Sequence, residues 1–221
     1  MYNLPYFKEQ DAATILKFIK ENPFAFLCGC DSVNKPVATQ VPVFIDEKAD
    51  KLFLSGHIMR NTDHHKAFLQ NSNVLAVFTG AHTYVSASWY SNKQQASTWN
   101  YMSVHAKGTL RFLDEQALLD VLKRTTNHFE NNPLSGSNFE DLQDEYVQRL
   151  VTAIVAFEVE VHQIDHVFKL SQNRDEKSYH NIIGKLEKQG ADAQEIAGEM
   201  KRRSSQLFRE EMEAKRTNLN P

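Results

Sequence analysis

The 221-residue sequence predicts an α+β fold, a mainly antiparallel barrel of six to eight strands with peripheral helices and a helical C-terminal tail. Three observations predict it. About seven short β-branched or aromatic runs lie between turn signals, helical periods interrupt them irregularly, and no strand pattern remains beyond Asn173. A doubly wound parallel sheet needs a crossover helix between successive strands, and that rhythm is missing.

After an aromatic, irregular start, Asp11 opens an amphipathic helix with Ile15, Phe18 and Ile19 on one face, stopped at Asn22-Pro23. Residues 24–30 and 37–45 read as strands around a hairpin turn at 31–36. Residues 46–50 form the next turn, and 51–57 alternate as a half-buried strand. From Asn61 the period becomes helical, with Asn61 or Thr62 as N-cap and His65, Phe68 and Leu69 on one face. Residues 73–79 and 82–86 read as strands broken at Gly80-Ala81, followed by a long alternating run over 98–112. Asp114 caps a helix to about Glu130, residues 131–137 are the clearest loop, and 141–151 read as another helix. A strong strand covers 154–161, and charged helices cover 175–188 and 192–214.

Length and the 41% hydrophobic content suit a barrel domain over 1–170 with a helical extension over 171–221, and exclude a disordered chain. The net charge of -3 removes the composition argument for nucleic-acid binding, which clustered Lys and Arg drive. Apolar runs such as 154–157 are far shorter than the ~20 residues of a membrane span. With no basic and apolar leader at Met1, the expectation is a cytoplasmic protein with no membrane partner. Cys28 and Cys30 read as reduced thiols.

The sequence has no glycine-rich dinucleotide fingerprint, Walker loop, Gly-x-Ser-x-Gly elbow or His-Glu-x-x-His. Polar residues instead gather where strands end. Ser55-Gly56-His57-Ile58-Met59-Arg60-Asn61 runs from a strand into a helix N-terminus, where free N–H groups, a hydroxyl and a guanidinium suit a phosphate. The same residues also read as a cap with Arg60 in solvent. Ser86-Ala87-Ser88-Trp89-Tyr90 and Thr98-Trp99-Asn100-Tyr101 flank a polar linker, and their rings and amides suit a flat heteroaromatic ligand or a core or dimer contact. Phe168-Lys169-Leu170-Ser171-Gln172-Asn173 is a ligand loop or a connector.

The nine histidines match no zinc spacing, so no metal is expected, and axial haem ligation is a minority reading. Lys201-Arg202-Arg203, with Arg209, Lys215 and Arg216, reads as a DNA-facing helix or as a solvated face balanced by Glu199, Glu210, Glu211 and Glu213.

Taken in order, these motifs resemble those of the PaiB family of FMN-binding negative transcriptional regulators. The likeness rests on Met1-Tyr2 with Pro5 and Phe7, on Ser55-Gly56-His57, and on the string from Phe78 to Tyr90. It continues through Thr98-Trp99-Asn100-Tyr101 with Val104-His105 and Phe168 to Asn173, and runs to about residue 190. The resemblance implies an FMN-binding split barrel, a homodimer with the flavin between subunits, and repression of genes, with DNA contact itself not implied. By that analogy Ser55, His57, Arg60, Asn61 and Lys66 hold the phosphate and ribityl chain, while Ser86, Ser88, Trp99 and Asn100 approach the ring. A flavin-based redox or ligand sensor is the leading function. A flavin reductase or pyridoxamine-phosphate-oxidase-like enzyme, with His57, His82 and His105 moving protons, is the alternative, and a haem-binding split barrel the second alternative.

Overall fold

A computed structural model describes residues 1–217, with side-chain surroundings through Phe208. Arg209, Lys215, Arg216 and the glutamates at 210, 211 and 213 have side chains outside that description. The described elements run α1 (Ala12–Glu21), β1 (Phe24–Cys30), β2 (Pro36–Pro42), β3 (Phe44–Lys48), β4 (Lys51–Met59), α2 (Asp63–Gln70) and β5 (Asn73–Val85). They continue as β6 (Thr98–Phe112), α3 (Glu115–Glu130), α4 (Asp144–Ala153), β7 (Ile154–Lys169), α5 (Glu176–Leu186) and α6 (Ala191–Thr217). The seven strands form one sheet in the order β2-β1-β5-β6-β7-β4-β3. β1 pairs antiparallel with β2 and β5, and β4 with β3 and β7. The strand count and pairing are those of the α+β antiparallel class.

Three boundaries differ most from the sequence reading. The run 37–45 is two strands, β2 and β3, because Val43 leaves the ladder and donates its N–H to Pro23 O at 2.9 Å. β5 continues through Gly80-Ala81, where its less buried positions change parity from Asn73, Leu75 and Val77 to His82 and Tyr84. β7 extends eight residues beyond Val161.

The chain divides into two compact units, the first formed by Ala13–Phe78 and Val104–Asp165, the second by Met1–Ala12, Thr79–Ser103 and the segment from His166. In the first, α3 and α4 bury Leu118, Val121, Leu122, Val147 and Val151 with Ile154 and Ala156 at the start of β7. Asp114 caps α3 by accepting from Ala117 N at 2.9 Å, and Asn131 ends it in a left-handed turn. Two carboxylates fasten neighbouring elements. Glu158 on β7 accepts from Lys48 at 2.9 Å and Arg111 at 2.6 Å, and Asp46 on β3 takes both terminal nitrogens of Arg124 at 2.5 and 2.9 Å. Gly108 packs so closely on β7 that a Cβ there would lie 2.2 Å from Glu160 O.

In the second unit α5 and α6 bury Tyr179, Ile182, Leu186, Ile196 and Met200. The Tyr179 hydroxyl donates to Met200 O at 3.0 Å, and burial pushes its pKa well above the ordinary phenol value. Arg203 on α6 donates to Glu9 at 2.6 Å and to Glu199 at 2.5 Å, tying the N-terminal segment to the last helix.

Candidate functional site

The first unit carries the five residues expected at a phosphate. β4 delivers Ser55 and His57, and the chain then turns through Arg60 and Asn61 into α2. Asn61 holds a left-handed φ of 63°, a conformation asparagine tolerates better than most residues. Thr62, one of the two expected caps, accepts from His65 N at 3.3 Å. Asn61 N–H donates to His65 Nδ1 at 3.2 Å, so the turn is held from both sides.

Arg60 is exposed at the end of this turn. Its backbone N–H donates to Ala153 O and its Nε to Ile154 O, each at 2.9 Å, and its terminal nitrogens have no partner among the described residues. Lys66, one turn into α2, is exposed and has no ion-pair partner among the described residues. Burial, and after it the charges of Arg60, His64 and Lys66, push the His65 imidazole below its ordinary range. Arg60 and Lys66 place positive charge at the start of α2, which the helix dipole reinforces.

Ser55 and His57 sit deeper. Ser55 is buried. Hydrogen bonds from Arg124 hold the Asp46 carboxyl below its ordinary range despite burial, with Lys48 and Ser55 adding to the effect. Burial keeps the His57 imidazole neutral by lowering its pKa, and its Nδ1 has no partner among the described residues.

The second unit carries the four residues expected at a ring. Trp99 is 52% exposed and meets His82 at 5.9 Å and Tyr84 at 6.1 Å between ring centroids, forming an aromatic platform on the outer face of β5 and β6. Trp99 is therefore not a core contact, one of the alternatives that its spacing left open. Asn100, its neighbour in the strand, points inward by strand alternation and is fully buried. Its Oδ1 accepts from Ser171 at 3.0 Å and its Nδ2 donates to Met200 Sδ at 3.5 Å. Ser86 and Ser88 join hydroxyls at 2.8 Å, and Ser86 caps the short turn Ala87–Trp89 by accepting from Ser88 N at 3.2 Å. Of the nine residues, Arg60, Lys66 and Trp99 present uncommitted side-chain surface, while Ser86, Ser88 and Asn100 are engaged by protein groups.

The string 168–173 ends β7 and is bonded within itself. Gln172 donates to Phe168 O at 2.5 Å and accepts from Leu170 N at 2.7 Å, and Ser171 turns the chain at φ 63°. Lys169 instead donates to Thr98 Oγ1 and lies 5.5 Å from the Tyr2 ring, an arrangement that spacing did not disclose. Cys28 and Cys30 are free thiols, and burial pushes the Cys28 thiol up. Among the described residues no three His, Cys, Asp or Glu side chains gather as metal ligands, and no helix is long and apolar enough to cross a membrane. The basic cluster on α6 is paired: Lys201 with Glu187, Arg202 with Glu199, and Arg203 with Glu199 and Glu9.

Residues 1–163 match a family described as "Putative FMN-binding domain", a stretch that contains all nine candidate residues. The chain is 32% identical over 187 residues to protease synthase and sporulation protein PAI 2 of Bacillus subtilis strain 168, covering 85% of this chain and 89% of that protein. Among solved structures, it is similar to the FAD and heme binding protein of Mycobacterium smegmatis, with a TM-score of 0.54 and 15% identity, covering 73% of this chain and 72% of that one. It is also similar to the flavocytochrome Anf3 of Azotobacter vinelandii, with a TM-score of 0.51 and 14% identity, covering 76% and 72%. At these identities the structural likeness speaks to the fold, which is the split barrel.

Proposed function

Because the chain belongs to the FMN-binding domain family, we propose that it is a homodimeric FMN-binding regulator in which the flavin reports redox state or ligand supply. Arg60 carries this reading: a guanidinium positioned through Nε alone, with its terminal fork uncommitted, suits the bidentate recognition of a phosphate. Lys66 and the start of α2 add positive potential, and Asn61 shapes the turn. For the ring we propose the Trp99 platform, since an exposed aromatic face offers stacking area to an isoalloxazine. Ser55, His57, Ser86, Ser88 and Asn100 enter as residues that set backbone and side-chain positions around these contacts. FMN, when bound, supplies one- and two-electron chemistry; the chain's own residues hold and orient it. We assign residues 1–170 to the cofactor-binding barrel and 171–221 to its helical extension.

The homodimer draws support from the sheet. Residues paired across strands share a face, so Phe24 with Pro42, Phe26 with Gln40 and Val77, and Cys28 with Ala38 and Leu75 lie together. Phe24 and Phe26 are 58% and 40% exposed there, an apolar surface that a second copy would cover.

The deciding experiment is the absorbance spectrum of purified protein after titration with FMN, and separately with haem, followed by desalting. Retained flavin bands are expected. Retention of haem alone, or of neither, overturns the FMN reading. The sensing part is tested by affinity for a partner or DNA with oxidised and reduced FMN, and equal affinity removes it.

A further inference from the structure

Four lysines from two distant segments converge on one groove of the second unit. Lys93 follows the Ala87–Trp89 turn, and Lys177, Lys185 and Lys188 lie on and just beyond α5; together they line a groove of about 510 Å³. Its lining contains no carboxylate among the described residues. All four lysines are exposed, and none has an ion-pair partner among the described residues. Nearby acids are occupied. Glu187 pairs with Lys201, Glu176 approaches His180 at 3.8 Å, and Asp175 accepts from Ser91 and Ser178.

The frame of the groove is braced by a hydrogen bond and a stacked cation. Ser91 N–H donates to Ser178 Oγ at 2.8 Å, and the Arg174 guanidinium stacks 4.2 Å over the Tyr90 ring. Tyr90 lines the groove and is 3% exposed, yet its hydroxyl has no partner among the described residues. A buried hydroxyl without a partner is costly unless a ligand or water completes it. A Cβ at Gly184 would meet nothing within 4 Å, so the helix surface is open there.

We propose that this groove binds the phosphodiester backbone of nucleic acid, with Lys93, Lys177, Lys185 and Lys188 as the phosphate contacts. Lysine ammoniums are point charges that suit phosphates, the contacts that position a protein on nucleic acid. Lys177 and Lys185 are eight residues apart, which is about 12 Å along a helix, or three to four nucleotides at ~3.4 Å each. The charge of the groove is thus local, in a chain whose net charge is -3. It also differs from the α6 cluster that the sequence singled out, whose described cations are neutralised by carboxylates. The inference gives the regulatory reading a partner surface and rests on that reading only for its biological sense; Ser88 is the one residue the groove shares with the proposed flavin contacts.

The test is fluorescence anisotropy of a labelled mixed-sequence duplex of about two helical turns with the full chain, from 50 to 300 mM salt. The wild type is compared with Lys177→Gln/Lys185→Gln/Lys188→Gln and with Lys201→Gln/Arg202→Gln, and FMN retention is measured on every sample. Four phosphate contacts give a slope of log affinity against log salt near -3.6 per groove, and the triple variant loses about 2.7 of it. Its affinity falls at least tenfold, while the α6 variant binds as the wild type does. A triple variant with unchanged affinity and slope overturns the proposal, as does a wild type that retains FMN but leaves the duplex free. Loss of FMN retention in the triple variant also overturns it, by assigning the groove to the flavin. A wild type that binds the duplex with the expected slope but retains no FMN overturns the flavin reading alone.

Discussion

Asn61 N–H and His65 Nδ1 are joined at 3.2 Å, so the left-handed turn that carries Arg60 depends on an imidazole nitrogen with its lone pair free. Burial and the neighbouring cations lower the His65 pKa, so the folded protein holds it neutral. A depressed histidine contributes stability that is present above the unfolded value of ~6.5 and lost as pH falls through the folded value. Protonating Nδ1 sets donor against donor and removes a bond of about 1 kcal/mol, or about 2–4 °C in Tm for a chain this long. Thermal unfolding from pH 8 to 5 should therefore show Tm falling below ~6.5, with the half-buried His57 and His105 acting in the same direction. In His65→Gln the slope in that window becomes shallower. A variant that keeps the whole slope assigns it to the other histidines.

Arg60→Gln removes the charged fork while the turn keeps its Asn61–His65 and Thr62 bonds. FMN affinity, followed by flavin fluorescence, should fall about 10- to 100-fold, the loss for a hydrogen-bonded charge pair of about 1.5–3 kcal/mol. Lys66→Gln removes an exposed point charge and should cost about fivefold or less. Unchanged affinity in Arg60→Gln moves the phosphate to another part of the chain.

Trp99→Ala separates binding from stability because half of the ring already faces outward. Its removal from the His82 and Tyr84 platform should cost about 1 kcal/mol or less in unfolding free energy. Stacking of an aromatic ring on a flat base is worth about 1–3 kcal/mol, so FMN affinity should fall by at least fivefold. Trp99→Phe should recover part of it. Equal FMN titrations for wild type and Trp99→Ala exclude the platform as the ring contact.

Much of the fold is legible because alternation and caps are local. β1 is bounded by the strand pattern at Phe24–Cys30, and Asp114 opens α3 as its side chain requires. β7 is not legible beyond Val161, because His162, Gln163 and Asp165 carry no apolar alternation and are held by contacts from afar, such as His162 with Thr109 at 2.9 Å and Asp165 with Lys107 at 2.8 Å. At the candidate site, Arg60 and Asn61 are legible as a strand-to-helix junction. The burial of Asn100 and the exposure of Trp99 follow from strand parity, which the linker at 91–97 hides. The pairing of Arg203 with Glu199 is visible as an i, i+4 spacing, whereas its bond to Glu9 and the convergence of Lys93 with α5 exist only in three dimensions.

Gly108→Ala tests how tightly β6 lies on β7. The new methyl would meet Glu160 O at 2.2 Å and Val159 Cγ1 at 2.7 Å, and the first of these is backbone that cannot rotate away. Overpacking of this kind costs about 1–3 kcal/mol, so Tm should fall by several degrees in thermal unfolding. Gly184→Ala on α5 is the control: its methyl meets nothing, and the helix should gain about 0.5–1 kcal/mol. Equal Tm values for Gly108→Ala and wild type would falsify this packing.

Phe24 and Phe26 give the dimer its sharpest test, since both project from β1 on the same face and neither packs into the core. Covering two large aromatic side chains is worth about 1.5–3 kcal/mol each, and replacing them with charges adds the cost of desolvating a carboxylate. Light scattering coupled to size exclusion should give twice the chain mass for the wild type and the single-chain mass for Phe24→Asp/Phe26→Asp. The strand itself should survive, because Ala25 and Leu27 hold its buried face. If the flavin needs both subunits, FMN retention falls together with the mass. A monomer that retains FMN at wild-type affinity confines the cofactor to one subunit, and a variant that stays dimeric places the interface elsewhere.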